Sequence, residues 1–458
     1  MMTKEFGEFI SNRPRDWSTE AIHQASRAFV DTIACIVAGR QDAAVQRASR
    51  TFEQWSQAGV GMPCVTGQRL PAPWAALVNG AAAHALDYDD VSEPALTHPS
   101  AALVPALLAL ALERKCSGEQ ILDAYIIGFE IQAALGAAMN DAHYGRGWHT
   151  TLTFGSIAVA AACARLLQLD AKRAAAAVSI ATSSSSGSKL QFGTNLKPIH
   201  AGMAAQAGII AASLAEQCVT AAAEVFEGTW SFRSLFGGDS AAGFDAARSM
   251  LAGEPAITKI GICLKVHPCC ASTHRTIDAI WALKKKGLRL DTIQSITTHV
   301  SGIVMGNLMY SQPIDEMQAR FSMNHCVALA LLEDQIRVKD FYSSRLNDLQ
   351  TRALWPLVNM QLDPTLPGKD VINPRPEQAY VVVKKRDGSE MQETILFAMG
   401  HPHLPVSDEA LAQKFMACTQ DAFELAPATE FLHQLQDLKK QKDLGFINNR
   451  FEMMSWVS

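Results

Sequence analysis

From about residue 18 to residue 260 apolar positions recur every three or four residues, and the chain reads as helix after helix, rich in alanine. The first clear case is STEAIHQASRAFVDTIACIVAG, where Ile22, Ala25, Phe29, Ile33, Ile36 and Val37 form one stripe. Ser18 is placed to cap this helix and Gly39 to end it. Stretches 101–114, 119–139, 156–167, 171–182 and 199–216 are apolar on several faces, as helices in the middle of a bundle are. Charged residues recur at their ends, and apolar runs such as AALVPALLALAL are too short to span a bilayer, so no membrane partner is expected.

The period changes near residue 260. TIQSITTHVSGIVM is rich in β-branched residues, and AYVVVKKRDGSEMQETILF holds two strand-like runs around Asp387-Gly388, a hairpin turn signal. VNMQLDP adds a further strand, and helical patterns at 271–286 and 322–336 lie between. After Gly400 the helical period returns in SDEALAQKFMACTQ, with a cap and an acidic first turn. The expected fold is mainly α. A large helical domain is built from both chain ends (1–262 and 401–458), with a smaller α+β domain inserted at 263–400. SSSSGS (183–188) breaks two helices.

Composition narrows the function classes. The net charge of -5 comes without a basic block, which argues against a nucleic-acid partner. The ten cysteines follow no framework spacing and the first residues lack an apolar signal core, so reduced thiols and a cytoplasmic location are expected. No GxGxxG follows a strand and no GxxxxGK[ST] or GxSxG occurs, leaving nucleotide cofactors and a serine nucleophile elbow without support.

Four stretches carry candidate chemistry. In HALDYDDVSEPALTHPSA (84–101) three acids follow an apolar helix, where its negative end disfavours them. Read as helix, His84, Asp87 and Tyr88 share a face, while Asp89 points about 200° away from Asp87. His98 follows after a loop, and a carboxylate beside an imidazole can divide acid and base duties. Asp89 and Asp90 then cap or brace the loop that presents His98. In FGTNLKPIHAGMAAQAG (192–208), Pro198 suits a first helical position, which makes Lys197 the N-cap and puts an ammonium group beside free backbone N–H donors. Thr194 and His200 flank it. In LKVHPCCASTHRTIDAI (264–280), Pro268 again suggests a helix start, with Lys265 before it and His274 within. His267, Cys270 and His274 lack a fourth ligand, so no metal is expected there. In GRGWHTTLTFGS (145–156), His149 and Thr150 can line a pocket ahead of an apolar helix, although a capped helix start explains the same residues.

HALDYDD, THPSA, GWHTTLTFG, TNLKPIHAGMAAQAG, KVHPCCASTHRTIDA, ARFSMNHCVA and HPHLPVSDEALAQKF occur in an order that resembles the MmgE/PrpD family across nearly the whole chain. That family includes 2-methylcitrate dehydratases, cis-aconitate decarboxylases and an iminodisuccinate epimerase. The resemblance implies a helical domain with an α+β lid, a site in the cleft between them, a homodimer, and no metal or organic cofactor. It assigns active-site roles to Asp87, His98, Lys197, Lys265 and His274, and it suggests Tyr310 as an aromatic near the first strand of the lid. Two positions depart from the decarboxylase pattern: Val91 stands where those enzymes have Thr, and Cys270 where they have His.

The expected activity is a cofactor-independent lyase of the dehydratase type, removing a proton next to a carboxylate of a small di- or tricarboxylate. His98 or His274 would move protons, Asp87 would tune one of them, and the two lysines would hold carboxylates, with His149, Thr150, Thr194, His200 and Tyr310 binding substrate. Alternatives are an epimerase acting next to a carboxylate, a decarboxylase of cis-aconitate type, and a non-catalytic binding protein with a degenerate site. Magnesium held by DYDD against a diphosphate would need a second acid-rich helix, and the sequence has no convincing one.

Overall fold

Ser18 caps the first long helix, Thr19–Gly39, its hydroxyl accepting from the Ala21 N–H. The computed structural model describes residues 1–56, 62–238, 242–367 and 376–454. It is mainly helical, with a small mixed sheet. One apolar cluster joins Phe6, Phe29, Leu107 and Phe154 to Phe415, Phe431 and Phe451, so both ends of the chain share one helical core. A second cluster runs from Cys269 to Val383 and takes in Phe192 from the helical part.

The sheet follows the predicted strands. Ile293–Val300 pairs in parallel with Val358–Leu362 and antiparallel with Ala379–Lys385, which pairs antiparallel with Glu390–Ile395. The last pair is the expected hairpin, with Gly388 at φ 86° in its turn. Val381 and Val383 point inward along the alternating strand and share a cluster with Ile277, Ile280 and Leu283 of helix Ala271–Lys285.

Several boundaries move, each for a local reason. Pro99 starts its helix, Pro99–Arg114, with His98 as N-cap residue, earlier than the apolar run suggests. GWHTTLTFGS lies mostly inside helix Thr150–Leu166, with His149 as N-cap residue. Lys197 is not an N-cap: helix Leu196–Glu216 begins one residue before it, after Asn195. Pro268 does not open a helix either, because the next one, Ala271–Lys285, starts three residues later. The acids of HALDYDD lie beyond helix Ala72–His84 rather than on it, and Asp87 takes a left-handed φ of 49°. The expected shared face of His84, Asp87 and Tyr88 therefore does not exist.

Two helices, Gly118–Asn140 and Leu196–Glu216, are long and apolar enough to cross a bilayer, contrary to the reading of the shorter apolar runs. Protein covers 94% of the apolar window in the first and 61% in the second. Core packing accounts for the composition of the first.

One crossing positions the later chemistry. Helices Ala72–His84 and Leu196–Glu216 meet backbone to backbone at Gly80 and Gly202. A Cβ on Gly202 would lie 2.1 Å from the Leu77 carbonyl oxygen, and one on Gly80 2.8 Å from the Gly202 Cα. This approach lets His84, at the end of one helix, meet Lys197, at the start of the other. Gly202→Ala should force the helices apart and cost about 1–3 kcal/mol by overpacking, read as a lower urea midpoint. An unchanged midpoint would mean that the crossing has slack.

Candidate active site

The Asp87 carboxylate sits between two buried ammonium groups. Its Oδ1 accepts from Lys197 Nζ at 2.9 Å and from Lys265 Nζ at 3.0 Å. Lys265 also donates to the Asp87 carbonyl oxygen at 2.8 Å, fixing the left-handed residue from both ends. All three side chains are 3% exposed or less. Burial alone would raise the Asp87 pKa, but the two ammonium groups outweigh it and hold the carboxyl well below its usual range. Burial works against charge on Lys265, yet Asp87 and Asp89 keep its pKa raised. Asp87 and Lys265 therefore form a charged pair at neutral pH.

Asp89 organises two imidazoles. His84 Nδ1 lies 2.8 Å from Asp89 Oδ2 and His98 Nδ1 lies 3.0 Å from the same oxygen. His84 Nε2 faces Lys197 Nζ at 2.7 Å. An ammonium can only donate, so His84 Nε2 accepts and Nδ1–H donates to Asp89, which selects the neutral tautomer. Burial lowers the His84 pKa and pushes His98 down to about 3, in each case against the pull of Asp89. His98 Nδ1 is near Asp89 without a well-aligned hydrogen bond, and its Nε2 lies 3.7 Å from Asp87 Oδ1. Asp90 bonds the Ser100 hydroxyl and N–H, bracing the helix start that holds His98.

A cavity of about 260 Å³ is lined by Asp87, His98, Lys197 and His149 on one side and by Cys270, Arg275 and Asn307 on another, while His84, Asp89 and Lys265 are not among its lining residues. That is below the ~300–1,000 Å³ of drug-sized ligand sites and suits a small metabolite. Phe192 and Phe321 also line it, their ring centroids 5.5 Å and 5.0 Å from Lys197 Nζ. Val91 and Cys270 both face this space. Burial raises the Cys270 pKa, leaving a neutral thiol.

The remaining predicted residues scatter around this cluster. His149 Nδ1 pairs with His200 Nδ1 at 2.9 Å, so His200 supports the wall from behind. Thr150 donates to the Leu96 carbonyl and Thr194 to that of Gln191 at 2.8 Å; neither lines the cavity. Tyr310 donates to the Phe192 carbonyl at 2.7 Å and packs on Gly193, holding Phe192 in place from outside. His274 stands apart. It bonds the Cys269 carbonyl at 3.2 Å and packs on His267, and it is not among the residues facing the cavity.

Asp89, expected to cap or brace the loop that presents His98, lies beside both His98 and His84, and the ideal-helix direction away from Asp87 does not apply because the helix ends first. The unfavourable charge at the helix end was itself a signal that the helix stops first. Sequence reasoning missed Glu93 and Arg275, paired at 2.8 Å in the cavity wall, and Tyr144, which donates to Asn307 at 2.9 Å.

His84, Asp87, Asp89 and His98 each offer a ligand atom within 4.8 Å of the others, the spacing of a metal-binding quartet. Lys197 Nζ already touches His84 Nε2 and Asp87 Oδ1, and Lys265 Nζ touches Asp87. A divalent ion would have to displace a buried ammonium, so the donor set fits lysine cations better than a metal.

The chain is 30% identical over 361 residues to the human cis-aconitate decarboxylase, a match covering 76% of this chain and 73% of that protein. The mouse cis-aconitate decarboxylase is 29% identical, covering 81% and 77%. A cis-aconitate decarboxylase-like protein of Aspergillus oryzae is 25% identical, covering 90% and 89%. The MmgE/PrpD N-terminal domain matches residues 4–245 and the MmgE/PrpD C-terminal domain residues 267–439. With both domains matched in order, this chain belongs to the MmgE/PrpD family.

Proposed function

We propose that this protein is a cofactor-independent lyase acting on a small polycarboxylate of the aconitate kind, with loss of CO2 as its leading reaction. The observation that carries this reading is the small cavity in which a neutral His98 and the Lys197 ammonium flank Asp87, whose carboxylate Lys265 grips from outside the cavity lining. The names of the relatives support a carboxy-lyase.

The chemistry follows from the charges. Losing CO2 or a proton next to a carboxylate leaves a carbanion whose charge spreads onto that carboxylate as an enediolate. Lys197 on the cavity wall supplies preorganised positive charge where it develops, and Lys265 adds to the field through Asp87. In loss of water His98 Nε2 takes the proton from carbon and passes it to the departing hydroxide; in loss of CO2 the carbanion gains one proton from solvent, relayed through His98 Nε2 beside the Asp89 carboxylate. The same groups serve loss of water, which is the second reading. Val91 and Cys270 on the cavity wall, where the decarboxylase pattern has Thr and His, keep that reading open.

Proton NMR in D2O with cis-aconitate, citrate and 2-methylcitrate tests the proposal. Decarboxylation, dehydration and solvent deuterium exchange each leave a distinct product, and silence with all three would overturn it. Asp89→Asn should lower kcat by about 10²–10⁴-fold while the protein stays folded, because both imidazoles lose their orientation. A loss under about threefold would remove Asp89 from the mechanism.

The pH dependence has a definite sign. In proton abstraction, as in loss of water or solvent deuterium exchange, His98 is a base that works when unprotonated, and its pKa is depressed from 6.5 to about 3. Activity should therefore persist as pH falls through 6.5 and fail only toward the depressed value. An acid limb near 6.5 in kcat/KM would count against His98. Dialysis against EDTA should leave turnover unchanged, and a loss restored by a divalent ion would replace the lysine-based reading with a metal-based one.

A further inference from the structure

Helix Asp408–Thr419 belongs to the last part of the chain, and none of its residues lines the cavity. Its Lys414 nevertheless reaches the back of the site. Lys414 Nζ donates to the Tyr88 carbonyl at 2.7 Å and to the Lys265 carbonyl at 3.0 Å, and lies 2.6 Å from Asp31 Oδ1. It also stands 3.8 Å from the centroid of the Tyr88 ring. Two of its N–H groups have carbonyl acceptors on different segments, and the Asp31 carboxylate pairs with its charge without a well-aligned hydrogen bond.

The two carbonyl acceptors matter for chemistry. Tyr88 lies between Asp87 and Asp89, and the Lys265 carbonyl belongs to the residue whose ammonium grips Asp87. The 85–90 turn is neither helix nor strand, and Asp87 holds a left-handed φ within it. Such a segment keeps its shape only if outside contacts fix it. Lys265 and Tyr88 meet through one ammonium, which sets the distance between the strands of chain carrying the two halves of the ion cluster. Asp31, fully buried on helix Thr19–Gly39, anchors that ammonium to the helical core.

We propose that Lys414 is a positioning residue: by bridging the Tyr88 and Lys265 carbonyls it sets the Asp87–Lys265 geometry of the active site. This rests on the reading of Asp87 and Lys265 as reacting-site groups, and its test has one arm that needs no turnover.

The variant Asp31→Leu/Lys414→Met removes both charges together, so that neither is left buried alone. It should melt within about 4 °C of the wild type. Its kcat should fall about 100-fold, the cost of a displacement near 1 Å, with KM held within about threefold. In its crystal structure the Asp87 Oδ1–Lys265 Nζ separation should open from 3.0 Å to beyond the ~4 Å ion-pair limit. Asp31→Asn keeps the ammonium and both carbonyl bonds, and should retain kcat within about threefold. A folded double variant with the 3.0 Å contact intact and near-normal kcat would overturn the proposal. If the double variant does not fold, a folded Asp31→Asn that loses kcat more than about tenfold would overturn it, since the carbonyl bridge would then not suffice. A wild-type protein inert on every polycarboxylate would defeat the lyase reading, and the crystallographic distance would still decide the role of Lys414.

Discussion

Two lysine ammonium groups and one aspartate oxygen share a buried space, and much of the surrounding backbone serves to keep them there. Like charges this close repel strongly in a low dielectric, and a lone buried ion costs several kcal/mol. Asp87 removes both problems by accepting from Lys197 and Lys265 with a single oxygen. Its other oxygen is buried and has no hydrogen-bond partner among the described residues. A helix could not deliver this arrangement. The chain leaves helix Ala72–His84, turns left-handed at Asp87, and comes back to place Asp89 between His84 and His98.

The cluster gathers residues far apart in sequence. His84 and Lys197 meet because two helices touch at glycines, Lys265 arrives just ahead of the second apolar cluster, and the last third of the chain closes the back. Local sequence supplies each group. The helical core supplies the distances, since packed interiors have little room to adjust.

Helices, sheet strands and the return of the C-terminal segment to the helical core were legible from periodicity, because burial on one or all faces leaves a repeat of 3.6 or 2 in the sequence. Helix starts were less so. Pro198 and Pro268 carry a real first-turn preference, but Lys197 sits inside its helix and Lys265 in irregular chain. The charged members of the site were visible as oddities: acids at a helix end, and lysines beside prolines. What joins them was not, because the left-handed Asp87 depends on contacts more than 100 residues away, and the Asp89 bridge to His84 and His98 on the turn that Asp87 makes. His274 shows the opposite case, a residue in a conspicuous motif that packs against His267 and a carbonyl.

Phe192 is carried by the segment before helix Leu196–Glu216, yet it packs with the smaller apolar cluster, and Phe321 of that cluster covers Lys197 from another side. The local dielectric around the Lys197 ammonium is thus set jointly by both parts of the protein. Were the two clusters to separate, water would reach the cation and weaken its hold on any developing negative charge. Access to the cavity and electrostatic strength inside it are therefore opposed, and a single aromatic contact converts a change in shape into a change in field.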